Sequence, residues 1–202
     1  MAEDVGQRTP TGWLLSILAV ASAALPAVAC AGTPGMTLDQ QVVEYEVSGE
    51  SAKAIRQSMN AKRQEAFGAG AAFDGYTKWY VDWNPRYRQR GGLCVPGVVE
   101  VPVRVVIQIP SLAEGKRSAE VEARWQGYRE ALMRHEQQHA DIAVATGTAI
   151  FAALSDPTPE PCTSISSRRL DAAKAILAEA VIREREMDIE THHGADDGAR
   201  FP

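Results

Sequence analysis

The sequence predicts an α+β domain: a small antiparallel sheet of about three strands packed against two long helices and one short helix. Three observations carry this. Runs rich in β-branched residues fill the first half of the chain, helical spacing takes over from about Ser118, and the links between strands are polar, which favours antiparallel pairing. With 202 residues, 45% of them hydrophobic and 23% charged, the chain can bury one core. A net charge of -5 with scattered Lys and Arg excludes a basic footprint for nucleic acid.

Taken in order, residues 1–29 read as a signal peptide. An uncharged apolar run from Trp13 to Leu25 is followed by Pro26 and an A-x-A cleavage site, Ala27-Val28-Ala29. No other stretch is long and apolar enough to span a bilayer, so the mature chain is expected to be secreted or periplasmic, with no transmembrane segment. Cleavage is expected near Ala29 or Ala31. Lipidation of Cys30 is the alternative, although Ala27 stands where a lipoprotein signal usually has Leu. Residues 30–40 read as a linker, 41–195 as the domain and 196–202 as a disordered tail.

Within the domain, Val42 to Val47 is β-prone and ends at Ser48-Gly49. Ser51 caps a short helix whose buried stripe is Ala52, Ile55 and Met59. After a small-residue loop, Gly75 to Trp83 alternates, with Thr77, Trp79, Val81 and Trp83 on one face. A polar loop through Arg90-Gly91-Gly92 and Cys94 precedes a strand from Val99 to Ile109, closed by Pro110. Cys94 and Cys162 both lie in Gly/Pro-rich loops, so in an oxidising compartment a bridge between them is expected.

The first long helix, Ser118 to Leu154, carries Trp125, Tyr128, Leu132, His135, His139, Ile142 and Thr146 at steps of three or four. Its two histidines therefore continue the apolar stripe and must be satisfied by hydrogen bonds, charged partners or a metal. His135-Glu136-Gln137-Gln138-His139 places two imidazoles one turn apart, where both can bind one Zn²⁺. Glu136 lies about 100° around the axis, positioned to take a proton as a general base. The second long helix, Ser164 to Met187, has Leu170, Ala173, Ile176, Leu177, Ala180 and Val181 as its inner stripe and is expected to pack antiparallel to the first. Catalytic zinc needs a third protein ligand. Asp141 points about 200° away from His139 on the helix, which leaves the remaining histidines, His192 and His193, beyond the end of the second helix.

In order along the chain come Tyr45-Glu46-Val47-Ser48-Gly49, Ser58-Met59 and Gly75-Tyr76-Thr77-Lys78-Trp79. Cys94, a valine-rich strand closed by Pro110 and Trp125 follow, and then His135 through Ala143 and Asp188 through Gly194. This succession resembles the predicted secreted zinc-dependent proteases of the domain-of-unknown-function family nine hundred and twenty-two, over about residues 41 to 195. The resemblance puts the pattern Asp-x-x-Thr-x-His-Gly on Asp188, Thr191, His193 and Gly194, which implies His193 as the third zinc ligand and Asp188 or Thr191 as groups that orient an imidazole. Met187 stands where the family tends to have Tyr, so a hydrogen-bond donor to the transition state would have to come from elsewhere, with Tyr45, Tyr76 and Tyr80 as candidates. The implied activity is a secreted or periplasmic zinc metallopeptidase acting on peptide or protein substrates, the substrate lying along an exposed sheet edge. The alternative is a non-catalytic envelope binding protein whose histidines form a structural zinc site or none.

Overall fold

The computed structural model describes residues 35–67 and 73–202, so the expected signal peptide and Cys30 lie outside the described residues. The fold is α+β, organised on one long strand, β4 (Leu93–Leu112), counted in chain order. Every other strand pairs with it. β1 (Met36–Val47) and β2 (Tyr76–Val81) flank its second half, while β3 (Asn84–Arg90) and the short β5 (Glu160–Pro161) pair with its first half.

This five-stranded sheet is mixed, which corrects the expectation of about three antiparallel strands. β1 runs parallel to β4, from Met36 opposite Val101 to Val47 opposite Leu112. It reaches β4 only after α1 (Ala52–Phe67), β2 and β3, so no tight hairpin dictates its direction. β1 also starts at Met36, inside the segment expected to be a linker. β3 replaces the expected polar loop. Gly91 and Gly92, at φ 59 and 84, form a two-residue turn that needs positive φ at both positions, and this folds the polar run back onto β4.

The inner face of β4 is an unbroken alternation of buried Val99, Val101, Val103, Val105, Ile107 and Ile109. Across it lies α2 (Ala119–Ser155), started by Ser118, whose hydroxyl accepts the Val121 N–H at 3.3 Å. Gly147 lets α2 approach the sheet closely, since a Cβ there would meet Val103 Cγ2 at 2.4 Å. α3 (Ile165–Glu190) returns antiparallel to α2. At its start the buried Arg169 donates to the Ala153 carbonyl at 3.2 Å, satisfying the C-terminal end of α2, and at its far end Asp188 reaches His135 and His139. The Cys94–Cys162 disulfide, with Cα atoms 4.8 Å apart, ties the start of β4 to the approach to α3. Among the described residues no helix is long and apolar enough to cross a membrane.

The last residues are not the disordered tail expected over 196–202. Phe201 is buried against Trp125 and Tyr128, with ring centroids 5.4 and 5.3 Å away, and its carbonyl accepts from Arg56 Nη2 at 2.6 Å. One aromatic ring supplies enough apolar contact to hold the segment down.

Candidate metal centre

His135 and His139 are 3% and 5% exposed because they sit on the stripe that faces the core. Their ring planes stand at 87° with centroids 5.0 Å apart, and the Nε2 atoms of both lie 3.1 Å from the same oxygen, Asp188 Oδ1. One potential ligand atom from each of His135, His139 and Asp188 falls within 4.8 Å of the others, a group that could hold a metal ion. Two observations describe the state of the rings. Both Nδ1 atoms are buried without a hydrogen bond, and His139 Nδ1 approaches Glu184 Oε1 at 3.3 Å without the alignment of a hydrogen bond. In addition, burial lowers the His135 pKa, reinforced by the charge of His139, so this imidazole tends to the neutral form that a metal requires. His139 is shifted upward, because Glu184, Asp188 and Glu136 together outweigh the effect of its burial.

Glu136 is 3% exposed and sits between α2 and β2. Thr77 Oγ1 lies 2.7 Å from Glu136 Oε2 and 3.0 Å from the Glu136 carbonyl, so the hydroxyl can donate to the carboxylate, or donate to the carbonyl while accepting from a protonated carboxyl. Burial raises the Glu136 pKa to about 7, against the opposing hydrogen bond from Thr77 and the charge of His139. Gly75 makes the close approach possible: a Cβ on it would come within 2.7 Å of Glu136 Oε1. That stretch is anchored one residue earlier. Asp74 receives Arg56 Nη1 at 2.9 and 2.7 Å and the Tyr128 hydroxyl at 3.0 Å. Asp74, Gly75, Thr77 and Glu136 line, together with His135, His139 and Asp188, a cleft of about 460 Å³.

The third part is the turn that ends α3. Thr191 Oγ1 donates to the Met187 carbonyl at 2.8 Å and accepts the Gly194 N–H at 3.1 Å, while the His193 N–H reaches the Asp188 carbonyl at 2.8 Å. His192 and His193 both take left-handed backbone, φ 49 and 54. For residues other than glycine this conformation costs about 1–2 kcal/mol each, and here it aims the chain back at the site. His193 Nδ1 ends 3.3 Å from Asp188 Oδ1, its ring tilted at 44° against Phe73 with centroids 4.3 Å apart. Gly194, at φ +74, lies so close to His135 that a Cβ would meet its Cγ at 2.7 Å.

Of the residues singled out in the sequence, His135, Glu136, His139, Asp188 and His193 are thus brought to one cleft, and Thr191 builds the turn beneath it. Asp188 faces the Nε2 atoms themselves, whereas a group that only orients an imidazole would meet its other nitrogen. His193 is half exposed and touches the cluster through Asp188. His192 also lines the cleft, but its Nδ1 pairs with Asp196 at 2.6 Å and not with the cluster. Of the three tyrosines, Tyr76 lines the cleft, Tyr45 donates to the Asp74 carbonyl at 2.6 Å, and Tyr80 lies beneath Lys78 and Arg104. Glu184 and Asp74 were not singled out beforehand, and Gly75 only as part of a motif without a role at the site. A signal for Glu184 was present, because the inner stripe of α3, continued from Leu177 and Val181 in steps of three and four, arrives at Glu184 and Asp188.

Comparison with curated proteins and with solved structures finds no match. The family described as a bacterial protein of unknown function, DUF922, matches residues 42–194, a span that runs from β1 to the glycine packed on His135. By that match over most of its length, the chain belongs to the DUF922 family of bacterial proteins.

Proposed function

We propose that this protein is an extracytoplasmic zinc-dependent peptidase. The observation that carries the reading is the meeting of His135 Nε2 and His139 Nε2 on Asp188 Oδ1, one residue from a buried carboxylate, at the wall of a cleft. Zinc suits the donors. Ligand atoms held about 2.0–2.1 Å from a tetrahedral ion are roughly 3.3–3.4 Å apart, close to the observed Nε2 to Oδ1 separations of 3.1 Å. His135, His139 and Asp188 would hold the ion, with His193 within reach. Bound zinc supplies Lewis acidity, polarising a carbonyl and easing deprotonation of water.

The chain's own residues supply the rest. Glu136 takes a proton from the attacking water and delivers it to the leaving nitrogen as the C–N bond breaks; Thr77 holds Oε2 throughout, so that Oε1, beside Gly75, is the oxygen that exchanges it. Substrate is read as an extended peptide on the edge of β2. Asp82 N–H bonds the Pro102 carbonyl at 3.1 Å, so alternate residues Tyr80, Lys78 and Tyr76 also direct their backbone groups to β4, and those of Thr77, Trp79 and Val81 face the outer edge beside Glu136. The disulfide and the lack of a membrane-spanning helix among the described residues are compatible with a place outside the cytoplasm.

The test is Glu136→Gln, with zinc content and cleavage of a peptide library measured side by side. The variant should keep its zinc and lose about 10²–10⁴ in kcat/KM. Unchanged turnover would favour a structural zinc site in an envelope binding protein, and wild type without stoichiometric zinc would remove both readings.

A further inference from the structure

We propose that Glu184, pinned by Trp79, is a positioning residue that fixes the ring of His139 for metal binding; this rests on the zinc reading above. Trp79 Nε1 donates to Glu184 Oε1 at 2.9 Å, and the same oxygen lies 3.3 Å from His139 Nδ1. An imidazole that binds a metal through Nε2 carries its proton on Nδ1, and a carboxylate at that nitrogen fixes both the tautomer and the plane of the ring. Glu184 stands one turn before Asp188 on α3, so a single helix face presents a carboxylate to each nitrogen of His139.

The indole supplies what an isolated glutamate lacks. A glutamate side chain loses substantial rotamer entropy when fixed, and the Trp79 N–H meets that cost before any metal arrives. Trp79 and Thr77 are alternate residues of β2, so one strand holds both Glu136 and Glu184. Neither Nδ1 makes an aligned hydrogen bond, but that of His139 faces a carboxylate oxygen at 3.3 Å, whereas the carboxylate that His135 meets lies at its Nε2, so the positioning falls on the His139 side.

The experiment is zinc titration against a competing chelator for wild type, Glu184→Ala, Glu184→Gln, Trp79→Phe and the double variant Trp79→Phe/Glu184→Ala, with thermal melts of the metal-free proteins as the check on folding. Glu184→Ala should bind zinc about 10–100-fold more weakly. Glu184→Gln, which keeps an acceptor, should recover part of that loss, and Trp79→Phe should lose a few-fold. The double variant should be no weaker than Glu184→Ala alone, because Trp79 acts through Glu184. A folded Glu184→Ala within twofold of wild type, or additive losses in the double variant, would overturn the proposal. If Glu184→Ala fails to fold, unchanged affinity in both Glu184→Gln and Trp79→Phe overturns it instead. Zinc lost from Asp188→Ala but retained by every Glu184 variant would defeat this inference alone, whereas wild type that binds no zinc defeats the zinc reading with it.

Discussion

His135, Glu136 and His139 stand on one helix laid across the sheet, whereas Asp188, His193 and Gly194 come from the last turn of α3 and the strained turn after it. The first group is held by local geometry and a packed core: α2 is capped at its start by Ser118 and at its end by Arg169, with Gly147 seated on Val103. The second depends on contacts between elements distant in the chain, above all Gly194 against His135 and Phe201 on Trp125. The difference suggests that α2 supplies a fixed frame while the end of α3 completes the site and is its more sensitive half.

The sharpest way to break this comparison is to ask which residue of the second half binds the metal. Asp188→Ala should weaken zinc by about 10²–10⁴-fold, about 3–5 kcal/mol if roughly 10–16 kcal/mol is shared over the three ligands His135, His139 and Asp188. His193→Ala, half exposed and touching the cluster only through Asp188, should cost less than tenfold in chelator competition. The reverse ranking would make His193 the ligand and Asp188 its support.

Next in size is an effect of pH on the first half. Glu136, held at about 7 by burial against an ordinary 4.5, keeps a proton in the folded chain that the unfolded chain has lost. Its contribution to stability is therefore full below about pH 4.5, declines as pH rises towards 7 and is flat above that. The fall is on the order of 3 kcal/mol for the metal-free protein. Thr77, His139, Asp188 and Glu184 set the same shift, so the clean measurement is the difference in denaturant midpoint between wild type and Glu136→Gln across that range. Equal slopes for the two proteins would show that Glu136 does not titrate there.

Gly194→Ala should destabilise by about 1–3 kcal/mol, combining positive φ with the collision on His135, at roughly 2–4 °C in Tm for each kcal/mol. It should also weaken zinc, which a purely structural turn would not do. Smallest is Ser118→Ala, about 1 kcal/mol from the lost cap, with zinc affinity unchanged. A change in zinc affinity there would mean that the start of α2 is coupled to the site after all.

Much of the first half was legible in the sequence because helical spacing is a short-range rule. Two histidines four apart on an apolar stripe must share a buried face, and a valine-rich alternation must form a half-buried strand. The bridge between Cys94 and Cys162 was legible for a similar reason, since few partners were available. The direction of β1 was not. Its alternation fits a parallel or an antiparallel neighbour, and the choice was made by the path through α1, β2 and β3. Nor could spacing rank Asp188, the last residue of the inner stripe of α3, against His193, which lies five residues on in the turn beyond the helix.

By itself, then, the sequence determined the two long helices, the buried pair His135 and His139, and Glu136 beside them, because each follows from periodicity and burial along one element. Only the tertiary structure decided the mixed sheet, the docking of Phe201, and which carboxylates meet the histidines. Asp188 and Glu184 reach them because α3 runs antiparallel to α2 at a fixed register. That register is set by the packing of whole faces and by the Arg169 contact at the other end, which no local pattern encodes.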